Sequence, residues 1–173
     1  TQAGLVDGKL MYNGKEKIVG ISIARKNPRG RHIVLDSISE YLTDKAISSE
    51  GIEEATNFVD DYIGGGYARQ DEAVNAVIKN TLIRYGIPLD FTYTGKAFYG
   101  MSEFIIKNKI IGKKILFIHT GGTPLFFDSL NILWKSQTYM NILVTCAGRR
   151  RYLLKYFKEI IGGSGKIVAT DMQ

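Results

Sequence analysis

The chain has 173 residues, 45% of them hydrophobic, with a formal net charge of +6. That suits one globular domain, or one domain with a piece of another. No apolar run approaches the ~20 residues needed to cross a bilayer. The single cysteine, Cys146, cannot close an intrachain disulfide, so a reducing cytoplasm is expected.

The charge is unevenly spread. Residues 1–139 hold 17 Lys/Arg against 15 Asp/Glu, whereas residues 140–173 hold 6 against 2. The excess lies chiefly in Arg149-Arg150-Arg151, too local for the sustained basic face of a nucleic-acid binder, so neither nucleic acid nor membrane is an expected partner. The N-terminus lacks the basic start, apolar core and cleavage site of a secretory signal. It opens on Thr1-Gln2-Ala3-Gly4 without methionine, and the expectation is that the true start is missing.

In chain order, Gln2 to Met11 reads as a helix, with Ala3, Val6 and Leu10 near helical spacing and Leu5 close by. Thr1 is placed as its N-cap, where a hydroxyl can accept a first-turn amide hydrogen; helix N-termini also hold phosphate, and a simple cap is the plainer alternative. Lys17 to Ala24 reads as a strand, and Arg25 to Arg31 as a basic turn. Arg31 to Ile47 follows as a helix with Ile33, Leu35, Ile38, Tyr41 and Leu42 available for burial. Strand, turn and helix in that order point to a layered α/β arrangement. Thr56 to Tyr62 reads as another strand. Gly64-Gly65-Gly66 then make a permissive loop, and Tyr67 directly after it is presented into a cleft or packed at the surface. Gln70 to Tyr85 is the clearest helix, striped by Ala73, Val74, Val77, Ile78 and Leu82 and stopped by Gly86.

Leu89 to Tyr93 reads as a short extended segment ended by Thr94-Gly95. Lys96 to Asn108 reads as a helix with Ala97, Met101, Phe104 and Ile105 inward. Thr94-Gly95-Lys96 lacks the earlier glycine of a nucleoside-triphosphate loop, so Lys96 reads as a helix-start lysine rather than a reactive amine. Ile115 to Ile118 is an unbroken apolar run, the mark of a strand buried on both faces of a parallel sheet. It stops at His119-Thr120, and Gly121-Gly122 follow. Bare backbone at the carboxyl end of a sheet is where open α/β folds bind ligands, although an ordinary strand-to-helix turn has the same local pattern. Leu125-Phe126-Phe127 begins a short apolar segment, and residues 128–139, with Trp134, read as a poorly structured connector. From Met140 the style changes. Asn141 to Thr145 is a strand, Arg150 to Ile161 an amphipathic helix, and Lys166 to Ala169 a second strand. This single βαβ opening is too short to close a core of its own.

Four blocks in order and spacing carry a resemblance: Thr1-Gln2-Ala3-Gly4-Leu5, Asp60-Asp61-Tyr62 with Gly66-Tyr67, Tyr93-Thr94-Gly95-Lys96-Ala97, and Phe117-Ile118-His119-Thr120-Gly121-Gly122. Residues 1 to about 127 resemble the C-terminal portion of the D-cysteine desulfhydrase and 1-aminocyclopropane-1-carboxylate deaminase family. The implied fold is α/β, the three-layer parallel sheet of tryptophan-synthase-β-like (fold type II) pyridoxal-phosphate enzymes, here incomplete. This chain has Gly65 where the family usually has proline, Ala68 where it has glycine, and Phe91 where proline is expected. The resemblance implies that Thr1 ends the loop cradling the cofactor phosphate. It implies that Tyr67 and Tyr93 face the substrate as the catalytic pair, and that Thr120, with Thr94 nearby, sits by the pyridine nitrogen. Gly121 would let the backbone approach the ring. No metal is implied.

The deaminase branch looks like glutamate at the Thr94 position and leucine at the Thr120 position; two threonines look like the desulfhydrase branch. The implied reaction on a small amino acid is α-proton loss followed by β-elimination of sulfide, giving pyruvate, ammonia and hydrogen sulfide. The family's Schiff-base lysine, with its Ser-Asn neighbours, has no matching motif here. The chain is therefore expected to be an incomplete copy, inactive alone, that needs an N-terminal half; this fold type usually forms homodimers. Residues 140–173 resemble the opening of a carbamoyl-phosphate-synthase-like ATP-grasp ligase, a Rossmann-like βαβ piece. The expected organisation is thus a lyase portion at 1–130, a connector at 131–139 and a ligase start at 140–173.

Overall fold

The computed structural model describes residues 1–69 and 71–127. The connector, Trp134 and the expected Rossmann-like elements of residues 140–173 lie outside the described residues. Seven elements follow in order: α1 (Gln2–Met11), β1 (Val19–Ile21), α2 (Arg29–Asp44), α3 (Ile52–Ala55), β2 (Asn57–Val59), α4 (Glu72–Tyr85) and α5 (Thr94–Lys107). Residues 123–127 add a helical turn.

The two strands pair in parallel, Val19 opposite Asn57, Gly20 opposite Phe58 and Ile21 opposite Val59. Parallel neighbours need a crossover, which α2 and α3 supply. The Ser22 amide donates to the Val59 carbonyl at 2.7 Å and extends the ladder by one bond. Both strands are shorter than the segments Lys17 to Ala24 and Thr56 to Tyr62 expected, because pairing with a neighbour defines a strand and apolar content only permits it.

One core lies where α1 packs on α2. Val6, Ile38 and Leu42 have no exposed surface, and Ala55 closes the cluster. Ala3, Leu10, Met11, Ile18, Val34, Ile47 and Ile52 pack around it. On α2 the expected burial holds for Leu35, Ile38 and Leu42, whereas Ile33 and Tyr41 are exposed. α4 buries Val74, Ile78 and Thr81 and half-buries Val77 and Leu82, with Ala73 outside. Gly86 supplies the expected stop, and Asp71 adds a cap at the other end. The Asp71 carboxylate accepts from the amides of Ala73 (2.8 Å) and Val74 (3.4 Å), and Gly86 ends the helix at φ 67°.

α5 departs from its periodicity. The residues it buries are Thr94, Gly95, Lys96 and Gly100. Ala97, Met101, Phe104 and Ile105 are only half-buried. The reason is close approach. A Cβ on Gly95 would stand 2.7 Å from Ile78 of α4 and 2.5 Å from the Asp90 carbonyl, and one on Gly100 would stand 2.6 Å from Ile21 of β1. Small residues let α5 settle onto its neighbours, so its buried face follows glycine spacing rather than apolar spacing.

Two expectations are corrected. Leu89 to Tyr93 is a turn folded around the buried Asp90, not an extended segment. Ile115 to Ile118 is not a buried strand. Leu116 is 82% exposed, Ile115 and Ile118 are also open, and no described strand pairs with the run. Phe117 alone packs inward, edge-on to Phe98 of α5 at 5.1 Å between ring centroids. An apolar run becomes a core strand only where sheet neighbours cover both faces.

Candidate functional site

A hollow of about 450 Å³ opens beside the start of α5, lined by Tyr93, Thr120, Gly121, Gly122, Pro124 and Leu125. That volume falls in the ~300–1,000 Å³ range of small-molecule sites. Two local devices shape it.

The first is Asp90, which has no exposed surface. Its Oδ1 accepts from the amides of Thr92 (2.9 Å) and Tyr93 (2.7 Å). Its Oδ2 accepts from the Thr94 amide (3.0 Å) and the Thr94 hydroxyl (2.7 Å), and the Asp90 amide donates back to that hydroxyl at 2.9 Å. One carboxylate thus gathers the amides leading into α5 and sets Tyr93 at the helix start. A Cβ on Gly122 would stand 2.5 Å from Asp90 Oδ2, so the same carboxylate packs against the glycine loop. The second device is His119. The Gly121 amide donates to its Nδ1 at 3.2 Å, and its Nε2 lies 2.9 Å from the Pro88 carbonyl. A neutral ring with its proton on Nε2 satisfies both bonds. Gly121 and Gly122 then bend at φ 105° and 89°, angles that a side chain rarely adopts.

The predicted site residues fall into three groups. Tyr93, Thr120 and Gly121 line the hollow together. Tyr67 joins them through Tyr93: the phenol oxygens are 2.5 Å apart and the rings meet edge-on at 5.9 Å. The hydrogen bond shared with Tyr67 holds the Tyr93 phenol pKa above its ordinary value, with burial adding to the effect. Thr94 is next to Tyr93 in sequence but is 2% exposed, and its hydroxyl is committed to Asp90. Thr1 is not one of the lining residues; it is exposed at the start of α1, where its carbonyl accepts the Leu5 amide at 3.1 Å. Contrary to the capping expectation, the Thr1 hydroxyl caps no amide.

Ala68, where the family resemblance leads one to expect glycine, takes a left-handed backbone at φ 54°. Asp90, His119 and Lys96 were not read as site-shaping residues from the sequence. An Asp placed before Phe-Thr-Tyr-Thr-Gly at a helix start was the available signal for the first. The other two act through carbonyls that only the folded chain brings near.

No family model matches this chain. A Pyrococcus abyssi protein provisionally named 1-aminocyclopropane-1-carboxylate deaminase is 32% identical over 127 residues, 73% of this chain and 37% of the relative. The D-cysteine desulfhydrase of Yersinia enterocolitica is 34% identical over 128 residues, again 73% of this chain and 38% of the relative. Among solved structures, the crystal structure of an ACC deaminase homologue superposes with a TM-score of 0.69 at 32% identity, covering 78% of this chain and 40% of that one. The chain therefore spans little more than a third of the length of the curated relatives it matches. Over most of its length it is similar to proteins named for D-cysteine desulfhydration or 1-aminocyclopropane-1-carboxylate deamination, with which it shares an α/β fold containing a small parallel sheet.

Proposed function

We propose that residues 1–127 form the substrate-facing wall of a pyridoxal-phosphate-dependent lyase acting on a small amino acid, of the D-cysteine desulfhydrase kind. The observation that carries the reading is the meeting of Tyr67, Tyr93, Thr120 and Gly121 around one hollow, in a chain whose relatives bear the two activity names. The residues fit the cofactor in chemistry. Thr120 is an exposed neutral hydroxyl on the hollow's wall, and nothing lies within 4 Å of the space a Cβ on Gly121 would fill, so a flat ring can lie against bare backbone there.

When bound, pyridoxal phosphate supplies an electron sink that acidifies the substrate's α-carbon. Thr120 would hold the ring's nitrogen side without a carboxylate's negative charge. Thr1 would hold the phosphate with the first-turn amides of α1, which its own side chain leaves uncapped. The two tyrosines make one hydrogen bond between them. With Tyr93 as donor to the Tyr67 oxygen, the direction that raises the Tyr93 pKa, the Tyr93 oxygen keeps its lone pairs for a group in the hollow. The raised pKa keeps the Tyr93 phenol protonated at neutral pH, so Tyr93 can hold or return a proton beside the reacting carbon. Threonine at both 94 and 120 favours sulfide elimination over cyclopropane opening.

A chimera tests the reading. Residues 1–127 replace the corresponding segment of the Yersinia enterocolitica enzyme, and sulfide and pyruvate are measured with D-cysteine. Sulfide release that falls at least tenfold in Tyr93→Phe is expected. A folded, cofactor-loaded chimera that releases neither sulfide nor, from 1-aminocyclopropane-1-carboxylate, ammonia and 2-oxobutanoate would overturn it.

A further inference from the structure

Lys96 is 1% exposed, among the most deeply buried side chains described. No carboxylate among the described residues pairs with it. Its ammonium instead donates to two main-chain carbonyls, that of Ile63 at 3.2 Å and that of Gly66. Those carbonyls bracket the triple-glycine loop, whose backbone is unusual: Gly64 at φ 64°, Gly66 at φ 110° and Ala68 at φ 54°. Such a loop has many conformations open to it and needs an external tie to keep one. Tyr67 sits inside this stretch, 57% exposed, with its hydroxyl on Tyr93. Tyr93 lies one helical turn before Lys96. Loop and helix are therefore joined twice, by ammonium to carbonyl and by phenol to phenol. Only a long apolar stem ending in several donors can reach from the first turn of α5 to both carbonyls.

We propose that Lys96 is a positioning residue: through the carbonyls of Ile63 and Gly66 it holds the glycine loop on α5 and so sets the Tyr67 hydroxyl against Tyr93 at the edge of the hollow. The consequence for catalysis rests on the lyase reading above; the positioning itself does not. Burial lowers the Lys96 pKa, partly opposed by the charge of Asp71, which is the cost expected of an ammonium kept for its hydrogen bonds.

The full chain, without cofactor or substrate, tests it by NMR. With ¹⁵N-lysine and ¹³C-carbonyl labelling at neutral pH, the Lys96 ammonium should give a slowly exchanging signal coupled to the Ile63 and Gly66 carbonyls. An ammonium exchanging as fast as the exposed lysines would overturn the proposal, and this measurement needs no variant to fold. With ¹³Cζ-tyrosine, assigned through Tyr67→Phe and Tyr93→Phe, the Tyr93 titration midpoint should shift down in Lys96→Met to that seen in Tyr67→Phe. Tyr99, which faces Tyr62 instead, should stay unchanged. A folded Lys96→Met protein that keeps the wild-type Tyr93 midpoint, or one in which Tyr99 moves equally, would overturn it. Failure of the chimera with these signals intact would count against the lyase reading alone.

Discussion

Replacing Asp90 by alanine should cost about 3–4 kcal/mol of stability. The carboxylate accepts four hydrogen bonds and has no contact with solvent. Without it the Thr94 hydroxyl can still accept the Asp90 amide, and the amide of Tyr93, a residue 40% exposed, can turn to water. The amides of Thr92 and Thr94 have neither escape, since both residues are buried. Each orphaned buried donor costs roughly 1–3 kcal/mol, and relief from burying a charge offsets part of the total. At ~2–5 °C per kcal/mol for a domain of this size, melting should fall by about 10 °C. Asp90→Asn should cost nearly as much, because its amide nitrogen must face donors where an oxygen stood. Urea unfolding followed by far-UV circular dichroism gives the difference, and a cycle with Thr94→Val isolates the coupling between the two side chains. An Asp90→Ala protein within about 1 kcal/mol of wild type would refute the reasoning, because the turn's amides would then have partners other than this carboxylate.

Three further outcomes are expected. Gly122→Ala should lose about 2 kcal/mol and partly close the hollow, since the new Cβ meets Asp90 Oδ2 at 2.5 Å on a backbone at φ 89°; thermal melting and a crystal structure check both halves. Ile38→Ala should cost about 2–5 kcal/mol by opening a void between α1 and α2, where Ile38 has no exposed surface, and denaturant titration measures it. Asp7 has a buried Oδ1 without a hydrogen-bond partner, and burial raises its pKa. A raised folded-state pKa means the folded chain holds the proton to higher pH than the unfolded one. The stability it supports is therefore full below the ordinary carboxylate value and lost as pH rises through the folded value. Asp7→Asn should flatten that decline and melt higher than wild type at neutral pH; equal pH profiles for the two proteins would contradict this.

Local chemistry was enough for the extents of the long helices, though not for α3 or for the buried face of α5. The stripe through Val74 and Ile78 and the stop at Gly86 are legible in α4 because each acts within a few residues of itself. The extent of α1 was legible for the same reason, although the expected Thr1 hydroxyl cap is not formed. Parts of the hollow were legible too: Tyr93, Thr120 and Gly121 sit in short motifs, and motifs report on residues close in sequence. The run Ile115 to Ile118 shows where this stops. Apolarity favours burial, but burial requires a neighbour, and nothing in four consecutive side chains specifies one.

What only the tertiary structure decided are the ties between distant segments. Lys96 reads from the sequence as a helix-start lysine; its burial depends on carbonyls some thirty residues away. Tyr67 finds Tyr93 across a separation of 26 residues, and Asp90 meets Gly122 from a different turn of the chain. Short-range patterns are set by backbone sterics and by which face of an element is apolar, and these a reader can count. Contacts between remote groups depend on how whole elements pack, and that is decided only when the chain has folded.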